Sequence, residues 1–302
     1  AHVNQFIPAG VFKMASAEEE DALFLLTTGD QTRLYLYKYY WLNEQKIQSS
    51  WSYWQFDPND TILQIDSLDS ALLLIVTRSD GTYLERIDLA DDPSLADLGF
   101  TCMLDSRVSL TGSYSAGTDT TTWTLPYKHT DTAGIIVVKG GSWSGEQGSL
   151  ISHATTTGTV TVEASGDYSA HPVYIGVPYE FRYRFSEQFL RKDEENDKGS
   201  AVLQGNLQLR SFWVRFYDTG YLRAEVTPRE NLSAYEYVYN GMTLGSSSLV
   251  IGEPRIDKGR LRFPVLGQSK NAVIDLINDK HVPSNIVSAE WTGTFNSKAG
   301  GV

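Results

Sequence analysis

The chain has 302 residues, of which 41% are hydrophobic and 12% aromatic, so its composition excludes a disordered protein and predicts about two domains. The net charge of −12 lies almost wholly in residues 1–126, which hold 18 acidic and 7 basic side chains, whereas residues 127–302 hold 19 and 18. Because an acidic surface repels phosphate, this distribution argues against tight nucleic-acid binding by the first part. The single cysteine, Cys102, excludes an intrachain disulfide and fits a reducing compartment.

An internal repeat lies near the start of the chain. The segments Val11–Tyr39 and Ile62–Leu89 each predict a strand, an acidic turn, an apolar strand that begins Ala-Leu, a polar turn and another strand. The two Ala-Leu pairs begin at Ala22 and Ala71, an offset of 49 residues. A period of about 40–50 residues with three or four short strands per unit is typical of β-propeller blades. Any meander of hairpins shares these features, so the repeat alone leaves both architectures open.

Aromatic side chains are concentrated in Thr32–Phe56, which holds five Tyr, three Trp and one Phe. The pattern predicts a hairpin that turns at Leu42–Gln45. Alternation along its first strand places Tyr35, Tyr37, Tyr39 and Trp41 on one face and Leu34, Leu36, Lys38 and Tyr40 on the other. Cross-strand aromatic pairs stabilise such a hairpin, and we expect these rings to pack between blades or against a neighbouring subunit.

The later part of the chain continues with β-signals. Residues 90–126 are rich in Gly, Ser, Thr and Pro and predict a connector or a long surface loop with short strands such as Thr121–Leu125, and they allow a short helix near Asp92–Leu98. In Tyr179–Phe185, aromatic and charged residues alternate with the period of two that indicates a strand. Gln188–Ser200 is highly charged without periodicity and predicts an exposed loop.

Motifs for catalysis and metal binding are missing from the sequence. The five histidines contain no HExxH motif and no pair four residues apart. Gly140–Gly145 contains Gly-Ser-Trp-Ser-Gly, but no helical pattern follows it, so we interpret it as a tight hairpin turn rather than a nucleophile elbow. There is no P-loop and no GxGxxG motif. We therefore predict no catalytic residue, no metal site and no cofactor.

Paired carboxylates offer an alternative function. β-Proteins rich in Trp and Tyr can cleave glycans with two acids set about 5–10 Å apart. Three pairs are candidates: Asp57/Asp60 beside Trp54, Asp66/Asp69 and Glu163/Asp167. Asp at a turn usually bonds its own backbone, which is the simpler interpretation. A glycan-binding or glycan-hydrolysing protein stays open as the alternative.

Several long strings carry a resemblance in their order along nearly the whole chain. They are AHVNQFIPAGVFKMA, LYLYKYYWLNEQKIQSSWSYWQF, YIGVPYEFRYRFS, LQLRSFWVRFYDTGYLRAEVTP and AVIDLINDKHVPSNIVSAEWTGTF. These strings resemble the C-terminal portion of the tail tubular protein B family, the nozzle proteins of short-tailed phages of the T7 type. The resemblance implies a β-propeller with added β-domains, six copies in a ring, and a channel through which DNA leaves. It also implies contact with the tail adaptor protein and the tail fibres, and no cofactor.

These expectations define one prediction of fold and function. We predict an all-β chain, with residues 1–126 forming acidic β-propeller blades and a connector. Residues 127–302 are predicted to form a further antiparallel β-domain that could include closing propeller strands. We expect a non-enzymatic nozzle subunit of the viral tail in the virion, assembled in the host cytoplasm, without a membrane span. DNA is expected to pass its channel without specific binding, and the alternative is a glycan-active protein at the host envelope.

Overall fold

The computed structural model describes residues 6–8, 10–79, 81–90, 98–128, 134–157, 160–191, 202, 205–230, 232–241 and 252–297. Within these residues the chain is all-β, as predicted, with one short 3-10 turn at Glu18–Glu20. Residues 92–97 of the predicted helix and 192–200 of the predicted loop lie outside the described residues. In the described part, no helix has the length and apolar character needed to cross a membrane.

The chain divides into two compact units. One unit comprises Ala1–Ser94 with Lys128–Thr132, and the other comprises Leu95–Tyr127 with Ala133–Val302. The predicted functional division between residues 126 and 127 stays a prediction.

The first unit contains two antiparallel meanders. One is a four-stranded sheet in the order β1-β2-β3-β4, and the other is a three-stranded sheet in the order β5-β6-β7. The strands are β1 (Val11–Ala17), β2 (Ala22–Thr27), β3 (Asp30–Leu42), β4 (Gln45–Gln55), β5 (Thr61–Leu68), β6 (Ala71–Arg78) and β7 (Gly81–Asp88). The predicted repeat is confirmed, because Ala22 and Ala71 each begin the middle strand of an equivalent three-stranded meander. Neither sheet closes into a ring within the described residues, and no propeller is identified there.

One apolar core joins the two sheets of the first unit. The first strands of the two sheets contact each other, since the Ser67 hydroxyl on β5 donates a hydrogen bond to the Ser16 carbonyl on β1 at 2.6 Å. Gln31 Nε2 donates to the Ile62 carbonyl at 3.0 Å. The buried core residues are Ala15, Ala17, Ala22, Phe24, Leu26, Leu34, Leu36, Ile62, Ile65, Leu72, Leu74 and Val76. The sheets therefore pack face to face with their first strands adjacent.

The second unit begins with a seven-stranded antiparallel sheet. Its order is β8-β14-β11-β12-β13-β10-β9. The strands are β8 (Asp105–Leu110), β9 (Ser113–Ser115), β10 (Thr120–Thr124), β11 (Ile135–Lys139), β12 (Leu150–Thr157), β13 (Thr161–Ser165) and β14 (Val173–Val177). The long strand β12 pairs with β11 at one end and with β13 at the other. Trp123 and Val162 from one half of the sheet share a core with Val137 and Ile175 from the other, so the sheet folds over on itself.

The rest of the second unit is a two-layer sandwich. One layer has the order β15-β20-β17-β18 and the other has the order β19-β16-β21. The strands are β15 (Phe181–Arg184), β16 (Asn206–Thr219), β17 (Leu222–Thr227), β18 (Tyr235–Tyr239), β19 (Asp257–Gln268), β20 (Val273–Asn278) and β21 (Asn285–Asn296). Both layers contribute to one core, in which the rings of Phe212 and Phe263 stack with centroids 5.8 Å apart.

His281 joins two parts of the second unit. Its Nε2–H donates a hydrogen bond to the Gly148 carbonyl at 2.8 Å, and its own carbonyl accepts one from the Met103 amide at 2.7 Å. The imidazole is buried, and this burial, with a smaller effect of Lys280, lowers the pKa of His281 below its usual 6.5. His281 therefore has a hydrogen-bonded structural role.

Truncation of the sandwich core tests the packing. Phe212→Ala removes a fully buried ring, so we expect the free energy of unfolding to fall by about 3–5 kcal/mol. Val287→Ala on β21 is the matched control, because this side chain is 68% exposed and its loss costs roughly 0.5 kcal/mol or less. Urea denaturation followed by circular dichroism measures both, and equal losses in the two variants would contradict the assigned core.

Acidification tests the buried histidine. Because the folded pKa lies below 6.5, the unfolded chain binds the proton first, and the stabilisation is present above pH 6.5 and is lost as the pH falls below it. We expect His281→Gln to lower the dependence of unfolding free energy on pH between pH 7.5 and 5. Val287→Ala, an exposed substitution without a titratable group, should leave the wild-type slope unchanged. A wild-type slope in His281→Gln as well would show that His281 is not buried in neutral form.

Candidate functional site

The first two acid pairs lie in local turns and strands. The Asp57 carboxylate accepts hydrogen bonds from the Asn59 backbone and side-chain nitrogens at 2.7 and 2.9 Å. Asp60 is buried and forms an ion pair with Arg78 at 3.0 Å, and burial raises the pKa of Asp60. The Asp66 carboxylate caps the Ser67 amide at 2.9 Å. These contacts give Asp57, Asp60 and Asp66 structural roles, whereas Asp69 lies in the turn between β5 and β6 with a φ angle of 51°.

The third acid pair has the same character. Glu163 lies on β13, and Asp167 accepts hydrogen bonds from the Ser169 hydroxyl and amide at 2.7 and 3.0 Å. These bonds lower the pKa of Asp167. A carboxyl group held in its ionised form is a poor proton donor, so Asp167 does not suit the general-acid role of a glycosidase.

The histidines and the Gly-Ser-Trp-Ser-Gly segment were considered above as metal ligands and as a nucleophile, and the structure gives no support for either role within the described residues. Among the described residues, no group of three or more His, Cys, Asp or Glu side chains could hold a metal ion. His2 and His129, and the side chain of His153, lie outside the described residues. Residues 140–149 connect paired strands β11 and β12, so the predicted tight turn is a longer loop. Its Trp143 Nε1 donates a hydrogen bond to the Pro172 carbonyl at 2.9 Å, which gives the loop its fixed shape.

The aromatic hairpin is the feature of the described residues that calls for a function. Strands β3 and β4 are 13 and 11 residues long and meet at Asn43-Glu44, which have φ angles of 48° and 65°. Two central residues with positive φ form the tight hairpin turn whose twist matches that of the strands. The predicted turn at Leu42–Gln45 is therefore confirmed.

The two faces of this hairpin have different surroundings. Leu34 and Leu36 belong to the core of the first unit, and Trp54, directly opposite Leu34, packs on Phe24 with ring centroids 5.4 Å apart. On the other face, the paired residues are Tyr35 with Tyr53, Tyr37 with Trp51, and Tyr39 with Ser49. The predicted alternation of the two faces is confirmed over this stretch.

The rings on the second face contact one another. Tyr37 lies 4.7 Å from Trp51 and 5.8 Å from Tyr39, measured between centroids, and Tyr35 lies 6.5 Å from Tyr53. We name Tyr37, Tyr39, Trp41, Trp51 and Tyr53 the aromatic hairpin surface. Trp41 is 54% exposed and Tyr53 is 56% exposed, and Trp51 is also exposed. The rings therefore pack on one another and still present a wide apolar surface to solvent.

Two cations border the aromatic hairpin surface. Lys46 Nζ lies 4.8 Å from the centroid of Tyr37 and 5.7 Å from that of Trp41, and it donates a short hydrogen bond to the Tyr37 hydroxyl. This bond lowers the pKa of Tyr37. Arg33 lies over the ring of Tyr53 at 4.5 Å. Cation–π contacts hold the rings in place and leave their outer edges free for a partner.

A row of side chains extends this surface across the whole sheet. The strand pairing aligns Met14, Leu25, Tyr35 and Tyr53 on four successive strands. Met14 is 66% exposed, whereas Tyr35 is only 4% exposed. The Tyr35 hydroxyl is buried and has no hydrogen-bond partner among the described residues. A buried hydroxyl without a partner costs roughly 1–3 kcal/mol, so a polar group that formed a hydrogen bond with it would stabilise this row.

Sequence patterns found the rings but missed two features of the surface. The alternation places Tyr35 on the aromatic face without showing that its hydroxyl is buried, because burial depends on neighbouring strands. β4 also carries an irregularity opposite Tyr40 and Trp41, which leaves Ile47 outside the regular pairing and exposed. A run of polar and apolar residues carries no signal for such a bulge.

Comparisons with known proteins point to one family. A family model described as bacteriophage nozzle protein matches residues 1–302. Tail tubular protein gp12 of Escherichia phage T7 is 28% identical over 313 residues, which cover 100% of this chain and 38% of that protein. The chain thus spans about two fifths of the length of this curated relative. The solved structure of the mosquito-larvicidal Cry4Aa toxin from Bacillus thuringiensis covers 90% of this chain and 50% of the toxin, with 10% identity and a TM-score of 0.18, which is too low to support any conclusion about fold.

The family model covers the sequence from its first residue to its last, and the relative matches over the same length. The chain belongs to the bacteriophage nozzle protein family.

Proposed function

We propose that this chain is a non-enzymatic structural subunit of a phage tail nozzle and acts by building a ring-shaped channel for DNA ejection. Family membership and the name of the T7 relative, a tail tubular protein, support a role in the tail of the virion. The observation that carries the proposal is the aromatic hairpin surface, a broad contact face on the first unit. Asp57, Asp60, Asp66 and Asp167 have structural partners, which favours assembly over glycan chemistry.

The two sheets of the first unit are successive blades of a β-propeller in this proposal. Blades are meanders that pack face to face with their first strands adjacent, and β1–β4 and β5–β7 have this arrangement. An interior blade needs an apolar surface on both faces. The row from Met14 to Tyr53 gives the four-stranded sheet its second apolar face, which a further blade or a neighbouring subunit would cover. Residues 1–126 then act as blades and connector, and residues 127–302 as the added β-domain.

The proposed assembly is a hexameric ring, formed in the host cytoplasm, that binds the tail adaptor protein and the tail fibres. Aromatic side chains are enriched at the centres of protein interfaces because they bury much area at little conformational cost. Trp41, Trp51 and Tyr53 have this character. DNA passes through the ring without specific binding, because a chain with a net charge of −12 does not attract phosphates.

Substitution of the exposed tryptophans tests the role of this surface. We expect Trp41→Ser with Trp51→Ser to leave the fold intact and to reduce incorporation into phage tails by at least about tenfold, since interface hot spots often contribute 2 kcal/mol or more each. Tyr235→Ser on β18 is the control, because this ring is 56% exposed on another sheet. The measurement is the amount of the chain in purified particles after complementation of a phage that lacks it.

The outcomes of this complementation separate the two functional hypotheses. Loss of tails in the double variant, with normal circular dichroism and normal tails in the control, is expected for a structural subunit. Normal tail assembly in the double variant would contradict a role of the hairpin in assembly. Absence of the wild-type chain from particles, together with release of sugars from host capsule, would overturn the nozzle function.

A further inference from the structure

A basic face lies on the outer layer of the sandwich in the second unit. The sheet β19-β16-β21 directs Phe212, Val214 and Phe216 into the core, so the residues between them point outward. We name the exposed basic side chains of this sheet the arginine face. They are Arg210, Arg215, Lys258, Arg260 and Arg262. A cluster of this size stands out on a chain whose net charge is −12.

The strand register brings like charges together on this face. Arg215 and Arg260 are direct partners on β16 and β19, although they are 45 positions apart in sequence. Like charges directly opposite each other destabilise a sheet. The next pair along the strands is Trp213 with Arg262, whose guanidinium carbon lies 5.3 Å from the centroid of the Trp213 ring. The ring holds Arg262 in an outward position, ready to meet a carboxylate.

Acidic side chains compensate this face only in part. Glu290 on β21 lies 3.7 Å from Arg215, and both side chains are more than 60% exposed, so solvent screens their attraction. Among the described residues, no ion pair involves Arg210, Arg260 or Arg262. Guanidinium groups that stay fully charged and repel one another within a folded sheet fit a partner that supplies negative charge.

We propose that the arginine face docks on the acidic first unit of a second copy of this chain. The first unit, Ala1–Ser94 with Lys128–Thr132, holds 16 acidic and 7 basic side chains, so each copy carries both the basic face and a complementary charge. A contact between two different surfaces of identical chains is heterologous, and such contacts form a ring when the rotation between successive copies closes. The proposal rests on the ring subunit proposed above and assigns charge to one of its interfaces.

One end of the first unit has the charge that this contact requires. The turn that contains Glu18 and Glu20 and the turn at Asp69 meet there, because the Ser70 hydroxyl donates a hydrogen bond to Glu19 at 2.8 Å. Asp66 and Asp88 lie at the same end of their strands, where Asp88 pairs with Arg86 at 2.7 Å. The remaining carboxylates exceed the cations at this end, so it complements the arginine face of the next copy.

Duplex DNA is the other polyanion that arginines could meet, and the structure favours it less. Tight binding to phosphates needs a surrounding positive field, whereas this chain is acidic as a whole. A flat antiparallel sheet face also offers no protruding element for a groove. Carboxylates of a second copy need only the local charge that the arginines provide.

Charge reversal in the full chain tests the docking. We expect Arg260→Glu with Arg262→Glu to weaken self-association at least about tenfold at low salt, measured by sedimentation velocity, because two repulsive contacts replace two attractive ones. Arg229→Glu with Lys270→Glu is the control with the same change in charge. Both residues are exposed on turns, and neither is paired with a residue of β16. Glu18→Lys with Glu20→Lys should weaken association to a similar degree.

A mixture of the two charge-reversed variants is the most discriminating experiment, because it restores opposite charges across the proposed contact. We expect the Arg260/Arg262 variant and the Glu18/Glu20 variant to associate with each other more tightly than either does with itself. Equal association of wild type and the Arg260/Arg262 variant would overturn the docking and leave the nozzle function standing, as would a monomeric wild type that still enters phage tails. Loss of binding to a 30-base-pair duplex in the Arg260/Arg262 variant, with unchanged self-association, would assign the face to DNA instead.

Discussion

A β-sheet with two apolar faces must bury both of them, and this structure depends on that requirement. The four-stranded sheet of the first unit buries Phe24, Leu34 and Leu36 against its three-stranded neighbour, which meets the requirement on one side. Its other face presents Met14, Trp51 and Tyr53 to solvent and leaves the Tyr35 hydroxyl without a partner. Apolar area exposed on this scale is a cost for a free protein and a source of free energy for an assembling one. The first unit thus has one covered sheet face and one apolar face that is available to a neighbour.

The second unit meets the same requirement differently. Its seven-stranded sheet folds over on itself around Trp123, and its sandwich encloses Phe212 and Phe263 between two layers. The outer sides of the sandwich carry charge as well as exposed rings, and Arg182 and Arg184 share the carboxylate of Asp275 on one layer. The other layer carries the arginine face, where the charges are largely uncompensated. One unit therefore offers apolar area, and the other offers charge that can fix the orientation of a partner.

Local patterns in the sequence predicted the elements well and their spatial neighbours poorly. Alternation along Leu34–Tyr39 gave the two faces of the hairpin, and the Ala22/Ala71 offset gave the two meanders, because both signals lie within one or two strands. The opposition of Arg215 and Arg260 depends on the register of strands that lie far apart in sequence, and no local pattern encodes it. For the acid pairs, closeness in sequence did not predict a shared site. Asp57 and Asp167 each lie within a few residues of another acid, but in the structure each accepts a hydrogen bond from a backbone amide in its own turn.

The central claim is that the second face of the four-stranded sheet is covered in the assembled tail. Hydroxyl-radical footprinting read by mass spectrometry measures it directly, by comparing oxidation of Met14, Trp51 and Tyr53 in the isolated chain and in intact phage particles. We expect all three side chains to be oxidised readily in the isolated chain and to be protected at least about tenfold in particles. The buried Trp123 is the internal control and should react slowly in both states. Equal oxidation of Met14, Trp51 and Tyr53 in the two states would contradict it.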